Sequence, residues 1–213
     1  MRDRYNRQLQ QLNTQLTEMG AMCETAISAA LKGLLDNDPQ QVKIAFETDS
    51  EIDKQEREIE SLCLKLLLEQ QPVASDLRMI SSAMKIISDM ERIGDQASDI
   101  AQLSKHFRST SLPAQTEMQT MAKSVIKMVT ASVDSFIKKD MDIARKVVEY
   151  DDKIDSLFDQ IKNQLINNIA NGRWDGNDCL DTLMIAKYLE RIGDHAENIA
   201  QWVEYAVTGE YEF

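Results

Sequence analysis

The chain has 213 residues, 43% of them apolar and 28% charged, which suits a globular core and excludes a disordered chain. Its 36 acidic side chains against 24 basic ones give a formal net charge of −12, and so exclude the basic face that a nucleic-acid phosphate track requires. Seven Gly and three Pro are too few for a turn-rich fold, so long helices are expected.

The first helix is read from Leu9, Leu12, Leu16, Met19, Cys23, Ala26, Ala30 and Gly33, which recur every three or four residues as the seam of a packed helix does. Asp36-Asn-Asp-Pro39 ends it, with Asp38 as N-cap of the next helix and Pro39 at its first position, where no N–H is needed. The second helix runs through Ala45, Asp49, Ile52, Glu56, Ile59, Cys63 and Leu66 and stops at Gln70-Gln-Pro72. A third, from near Ser75 or Asp76 to about His106, carries Ile80, Met84, Ile87, Glu91, Gly94 and Ser98.

Ser109-Thr-Ser-Leu-Pro-Ala114 is the strongest break, which divides the chain into modules 1–108 and 109–213. A fourth helix carries Met121, Val125, Met128, Val133 and Phe136. Asp140 caps a fifth, read from Val147, Asp151, Ile154, Phe158, Ile161 and Leu165 and closed by Asn171-Gly172. A sixth, from about Asp178 to Val207, has Leu183, Ala186, Glu190 and Gly193 on its seam.

The halves repeat. Glu91-Arg-Ile-Gly-Asp-Gln-Ala-Ser-Asp-Ile-Ala-Gln102 returns 99 residues on as Glu190-Arg-Ile-Gly-Asp-His-Ala-Glu-Asn-Ile-Ala-Gln201, with nine of twelve positions identical. At an offset of 102, Asp38, Glu47, Asp49 and Asp53 match Asp140, Glu149, Asp151 and Asp155. The expected fold is therefore all-α, a tandem duplication of two antiparallel three-helix bundles.

Each half carries two acidic pairs at four-residue spacing: Asp49/Asp53 with Glu91/Asp95, and Asp151/Asp155 with Glu190/Asp194. That spacing stacks two carboxylates on one helical face. Glu91 falls about 20° from Ile80 around the axis and Asp95 about 60°, so both stand on the inner side. If the two helices are neighbours, four carboxylates converge, and leaving them unneutralised would cost several kcal/mol. Hard cations held by oxygen (Mg²⁺, Mn²⁺, Ca²⁺, or iron at a carboxylate-rich site) supply the missing charge.

The competing reading is ion pairing with Arg92, Arg191 or a nearby Lys, although each Arg follows its Glu by about 100° and is not expected to span both acids. Gly94 and Gly193 each cost roughly 1 kcal/mol against Ala in a helix interior. Close approach of an ion or backbone and plain tight helix packing both account for them.

HExxH, Walker-type and GxSxG motifs are missing, so no catalytic residues are assigned and a metal-dependent enzyme stands only as the alternative. His106 and His195 lack a Glu three residues before them, unlike the ligands of di-iron bundles, and His195 is read as a surface or edge residue. Cys23, Cys63 and Cys179 form no CxxC and are read as reduced core residues. The opening run has no apolar stretch of signal-peptide type, and no run approaches a membrane span, so a cytoplasmic location is expected.

The doubled Glu-Arg-Ile-Gly-Asp, the preceding Asp-x-x-x-Asp pairs and Pro72-Val-Ala-Ser-Asp-Leu-Arg78 together resemble the PhoU family, accessory proteins of the phosphate-specific transport system, from about Tyr5 to Val207. The resemblance implies two three-helix bundles side by side and metal clusters of iron, manganese, zinc or magnesium. They would be held by the pairs matching Asp49, Asp53, Glu91, Asp95, Asp151, Asp155, Glu190 and Asp194. It also implies negative regulation of phosphate uptake and of phosphate-starvation signalling, with a transporter ATPase and a membrane sensor histidine kinase as partners, and a homodimer. The Pro-x-x-x-Asp-Leu-Arg element occurs once; the second half keeps Asp175 but has Gly176-Asn177 after it.

Overall fold

The computed structural model describes residues 2–69, 73–105 and 112–210, and these form six helices: α1 (Arg2–Leu35), α2 (Pro39–Glu69), α3 (Ala74–Ser104), α4 (Gln115–Lys138), α5 (Met141–Ala170) and α6 (Gly176–Thr208). Local chemistry sets most of the boundaries. Asp38 Oδ1 accepts from the Gln40 N–H at 2.9 Å, which caps α2 ahead of Pro39 as expected. Asp140 Oδ1 accepts from both Asp142 and Ile143, at 3.0 and 3.1 Å, and so caps α5. In α6 the cap is Asp175, which accepts from Asn177 at 2.7 Å, so the helix starts two residues before the expected Asp178.

Gly209 has φ of +81°, a left-handed conformation that ends α6 without a Cβ penalty, and Arg78 packs against it. Arg78 of the single Pro-x-x-x-Asp-Leu-Arg element is thus turned towards the end of α6, while Val73 and Leu77 stay exposed. Gln70, Gln71, Pro72, His106 and the first half of the Ser109–Ala114 break (109–111), with the proposed 108/109 boundary, lie outside the described residues.

Each half is an antiparallel three-helix bundle. In the first, Gly33 meets Val42 and Gln55 Nε2 donates to the Gln15 carbonyl at 3.5 Å, pairing α1 with α2 in opposite directions. In the second, Gln164 Nε2 donates to Glu117 at 2.7 Å and the Tyr150 hydroxyl meets Ser124 at 3.3 Å, pairing α4 with α5 the same way. Most apolar seam positions read from the sequence are core: Leu16, Met19, Cys23, Ile52, Ile59 and Ile80 are fully buried in one half, and Met121, Val125, Ile154 and Ile161 in the other, while Leu9, Met84, Phe158 and Leu183 pack at its edge. All three cysteines are free and buried, and burial pushes the Cys23 and Cys63 thiols up to about 12.

The bundles lie side by side through α3 against α6 and α1 against α4. Gly20 lets Val133 approach, and the Thr130 hydroxyl donates to Glu24 at 2.7 Å. Across α3–α6, Asp89 pairs with His195 Nδ1 at 2.9 Å and accepts from Asn198 at 3.3 Å. His195 is therefore a half-buried bridge between bundles, not an edge histidine, because α6 turns that face towards its sister helix.

Candidate metal centre

The fold brings α2 beside α3 and α5 beside α6, so the four acidic pairs meet two by two. The contact points are the glycines. A Cβ on Gly94 would stand 2.9 Å from Asp49 Oδ1 and 3.1 Å from Ile52 Cδ1. One on Gly193 would stand 3.2 Å from Asp151 Oδ1 and 3.3 Å from Ile154 Cγ2. Each glycine thus opens a notch in one helix that takes an aspartate and an isoleucine of its neighbour. Both explanations of the glycines apply at once: helices pack tightly there, and an oxygen is drawn into the gap.

Those two oxygens are the site's most telling atoms. Asp49 Oδ1 and Asp151 Oδ1 are buried and accept no hydrogen bond from the protein. A buried carboxylate oxygen without a partner is costly, and a cation is the ligand that best relieves it. Burial raises the Asp49 carboxyl, and the charges of Asp53, Asp95 and Asp99 add to the effect, while the Ser98 hydroxyl opposes it. Asp151 is pushed up from 3.8 to about 7, first by burial and then by Glu197, Asp194, Asp155 and Glu190. Glu91 and Asp194 are likewise raised, by burial foremost and by acidic neighbours next.

The protein's own cations reach part of each cluster. Arg92 Nε lies 3.4 Å from Glu91 Oε2 and its Nη1 lies 3.0 Å from Asp95 Oδ2, so one guanidinium spans the pair that its angular position had seemed to forbid. The long side chain bends back along the helix surface, where Asp95 is one turn away. Arg92 is exposed, which limits the pair's worth to about 0–1 kcal/mol. Arg191 does not repeat the arrangement; its charge acts on Asp99 across α3–α6. In the second half Lys187 pairs with Glu190.

As they stand, no three His, Cys, Asp or Glu side chains among the described residues are gathered closely enough to hold an ion. The groups that a cation would meet there are two orphaned buried oxygens, each in a glycine notch, with Glu91 and Asp95 held by Arg92 and Glu190 by Lys187 beside them. Three acids outside the four-residue pairs also belong here. Glu56 acts on Glu91, Asp99 feels Asp95, and Glu197 acts on Asp151. Glu56 stood on the expected seam, and Glu197 stands seven residues after Glu190, on the same helical face. That periodicity was the available signal.

A family model for the PhoU domain matches residues 16–104 and 118–203, one stretch in each half. A PhoU homolog of the phosphate-specific transport system from Clostridium acetobutylicum is 34% identical over 203 residues, covering 94% of this chain and 93% of that one. The corresponding Escherichia coli accessory protein is 30% identical, covering 97% and 86%. The crystal structure of PhoU from Pseudomonas aeruginosa superposes with a TM-score of 0.90 at 33% identity, covering 97% of this chain and all of that one. The phosphate transport system regulatory protein PhoU from Streptococcus pneumoniae also gives 0.90, at 25% identity and with 98% and 99% covered. With both halves matched by the family model and the same two-bundle architecture, this chain belongs to the PhoU family.

Proposed function

We propose that this chain is an accessory regulator of phosphate transport that works by binding, with cations held at Asp49, Asp53, Glu91 and Asp95 in one half and at Asp151, Asp155, Glu190 and Asp194 in the other. One observation carries the metal reading: the same orphaned aspartate oxygen, set in the same glycine notch, occurs in both halves. A hard cation there, iron, manganese, magnesium or zinc, relieves the buried charge and clamps two helices of each bundle, which fixes the shape a partner reads. The names of the relatives support the assignment to phosphate transport.

In this reading the chain acts in the cytoplasm as a homodimer and restrains phosphate uptake and phosphate-starvation signalling through contacts with a transporter ATPase and a sensor histidine kinase. Among the described residues no helix is long and apolar enough to cross a membrane, which suits a partner that docks on membrane proteins without inserting. Elemental analysis and thermal melting of the purified chain, beside Glu91→Gln/Asp95→Asn, test the clamp. Metal content and melting temperature should both fall in the double variant. If both are unchanged, the metal reading is lost. Co-purification with the ATPase and the kinase tests the partners.

A further inference from the structure

The offset of 102 that relates α2 to α5 also relates α1 to α4: buried Met19, Cys23, Leu31 and Leu34 fall on buried Met121, Val125, Val133 and Phe136. Along the outer wall formed by α4 and α5 the two halves part company. Lys123, Lys127, Lys146 and Lys153 are all exposed there, and their counterparts in the first half are Ala21, Thr25, Ile44 and Glu51. Lysines that the bundle needed for folding would stand in both copies of it. These four belong to one.

They border a groove. Its floor is Met128 and Ala131 of α4 with Ile143 and Val147 of α5, and Lys127 and Lys146 line it with their carbon stems, so the surface within is apolar throughout. Its volume is about 230 Å³. Small-molecule sites run from about 300 to 1,000 Å³, so this groove suits an apolar side chain of a partner better than a free ligand. Tyr150 also lines it; its hydroxyl accepts from Lys153 at 2.8 Å and donates to Ser124 at 3.3 Å. Among the described residues Lys123, Lys127 and Lys146 pair with no acid. Asp142 and Glu149 stand four residues before and three after Lys146, and Glu24 of α1 lies across α4, held by the Thr130 hydroxyl. Asp134 is taken up by Lys138. The lysines therefore outnumber the open acids around the groove, in a chain whose formal charge is −12. The first half is acidic at the same place, with Glu47 and Glu51 at the positions of Glu149 and Lys153.

We propose that the α4–α5 groove is a docking site for an acidic amphipathic helix of a partner protein, which sets an apolar side chain between Met128 and Val147 and carboxylates against Lys127 and Lys146. Two antiparallel helices leave a groove that a third can enter, so the docked segment extends the second bundle from three helices to four. The apolar floor supplies the anchor, and the unpaired lysines select the charge and steer the approach. The first bundle has Thr25 and Ile44 in place of those two lysines and does not take the segment, so the partner is held by one half only. This rests on the reading of the chain as a binding accessory protein and is independent of its metal sites.

The test is fluorescence polarisation of the full chain with a labelled helical peptide of about 18 residues that carries Leu along one face and Glu on both flanks, beside versions with Gln or Lys in place of Glu. The Glu peptide should bind roughly tenfold or more tightly than the Gln peptide, and the preference should shrink as salt is raised. The Lys peptide should not bind. Lys127→Glu/Lys146→Glu should weaken the Glu peptide by roughly tenfold or more and turn the preference towards the Lys peptide. Ala131→Trp, which fills the groove, should weaken the Glu and Gln peptides alike, while Lys54→Glu/Lys65→Glu on α2 should change nothing. Circular dichroism checks that each variant is folded; if Ala131→Trp is not, the exposed lysine pair decides alone. Equal binding of the Glu and Gln peptides, or of the Glu peptide to wild type and folded Lys127→Glu/Lys146→Glu, overturns the proposal. So does a Glu peptide that fails to bind while the lysine variant loses self-association in sedimentation, which makes the occupant a second copy, or loses flotation with phosphatidylglycerol vesicles, which makes it a lipid surface. If the Glu peptide fails but a transporter ATPase or sensor kinase still co-purifies with wild type and variant alike, the groove is lost and the accessory-regulator reading stands.

Discussion

The two halves of this chain agree in packing and differ in charge. Ile52 and Ile154 are both fully buried, each beneath a glycine of the next helix, and Asp49 and Asp151 each put one oxygen into that glycine's notch. Around this common frame the charged neighbours have changed places: Glu56 and Ser88 in one half stand where the other has Phe158 and Lys187, and Ser98 stands where the other has Glu197. Packing tolerates little variation at such a contact, because a single added carbon meets an atom within about 3 Å. Half-exposed charges tolerate more, since water and mobile side chains absorb the difference. The shape of the notch is thus shared, while the electrostatics around it belong to each half.

The largest effects should fall on the shared frame. Ile52→Ala and Ile154→Ala each remove a fully buried side chain at the waist of a bundle and are expected to lower stability by about 2–5 kcal/mol. Urea denaturation of both variants would break or keep the equivalence. If α3 and α6 join the bundles into one cooperative unit, the two variants shift a single transition by similar amounts. Two separate transitions, each moved by only one variant, would mean that the halves unfold independently.

The glycines sharpen the comparison at a smaller scale. Alanine gains about 1 kcal/mol in helix propensity over glycine at either position. At Gly94 the new Cβ would sit 2.9 Å from Asp49 Oδ1 and 3.1 Å from Ile52, so overpacking of about 1–3 kcal/mol should outweigh the gain. At Gly193 the nearest atoms are at 3.2 and 3.3 Å, so Gly193→Ala should be close to neutral in the metal-free chain. Thermal melting of the two variants side by side decides it. Equal losses would show that the two notches are equally tight.

Much of this frame is legible in the residues themselves. The three-and-four spacing from Leu12 to Ala30 and from Met121 to Phe136 marks buried faces because a packed helix needs an apolar stripe. Asp38-Pro39 and Asp140 mark helix starts because their side chains supply the missing acceptor. Periodicity says which face is inward, but not which neighbour it meets. Hence Asp89 and His195, polar residues beside apolar seams, gave no sign that they bridge α3 and α6. Arg92 exceeds its expected reach for a related reason: angular position around a helix fixes Cα–Cβ directions, whereas a long side chain can reach a turn away. The start of α4 was also hidden, since Ala114 takes φ of 54° and offers no side-chain cap.

The smallest effect is a pH dependence, and it too should separate the halves. Asp151 is pushed up from 3.8 to about 7 by burial and by the acids around it, Glu197 first among them. A carboxyl raised in the folded state holds its proton more firmly there than in the unfolded chain. Its favourable contribution is complete below about pH 3.8 and is lost as the pH rises through about 7. The metal-free chain should therefore lose stability between about pH 4 and 7, with solvent screening at this half-open site keeping the change modest. Asp151→Asn, which cannot ionise, should flatten that slope. Asp49→Asn should flatten it less, because Ser98 already favours the charged form of Asp49. Melting temperatures across this pH range, with chelator present, supply the measurement. A slope unchanged by Asp151→Asn, or changed equally by both variants, would mean that Glu197 and Ser98 do not set the halves apart.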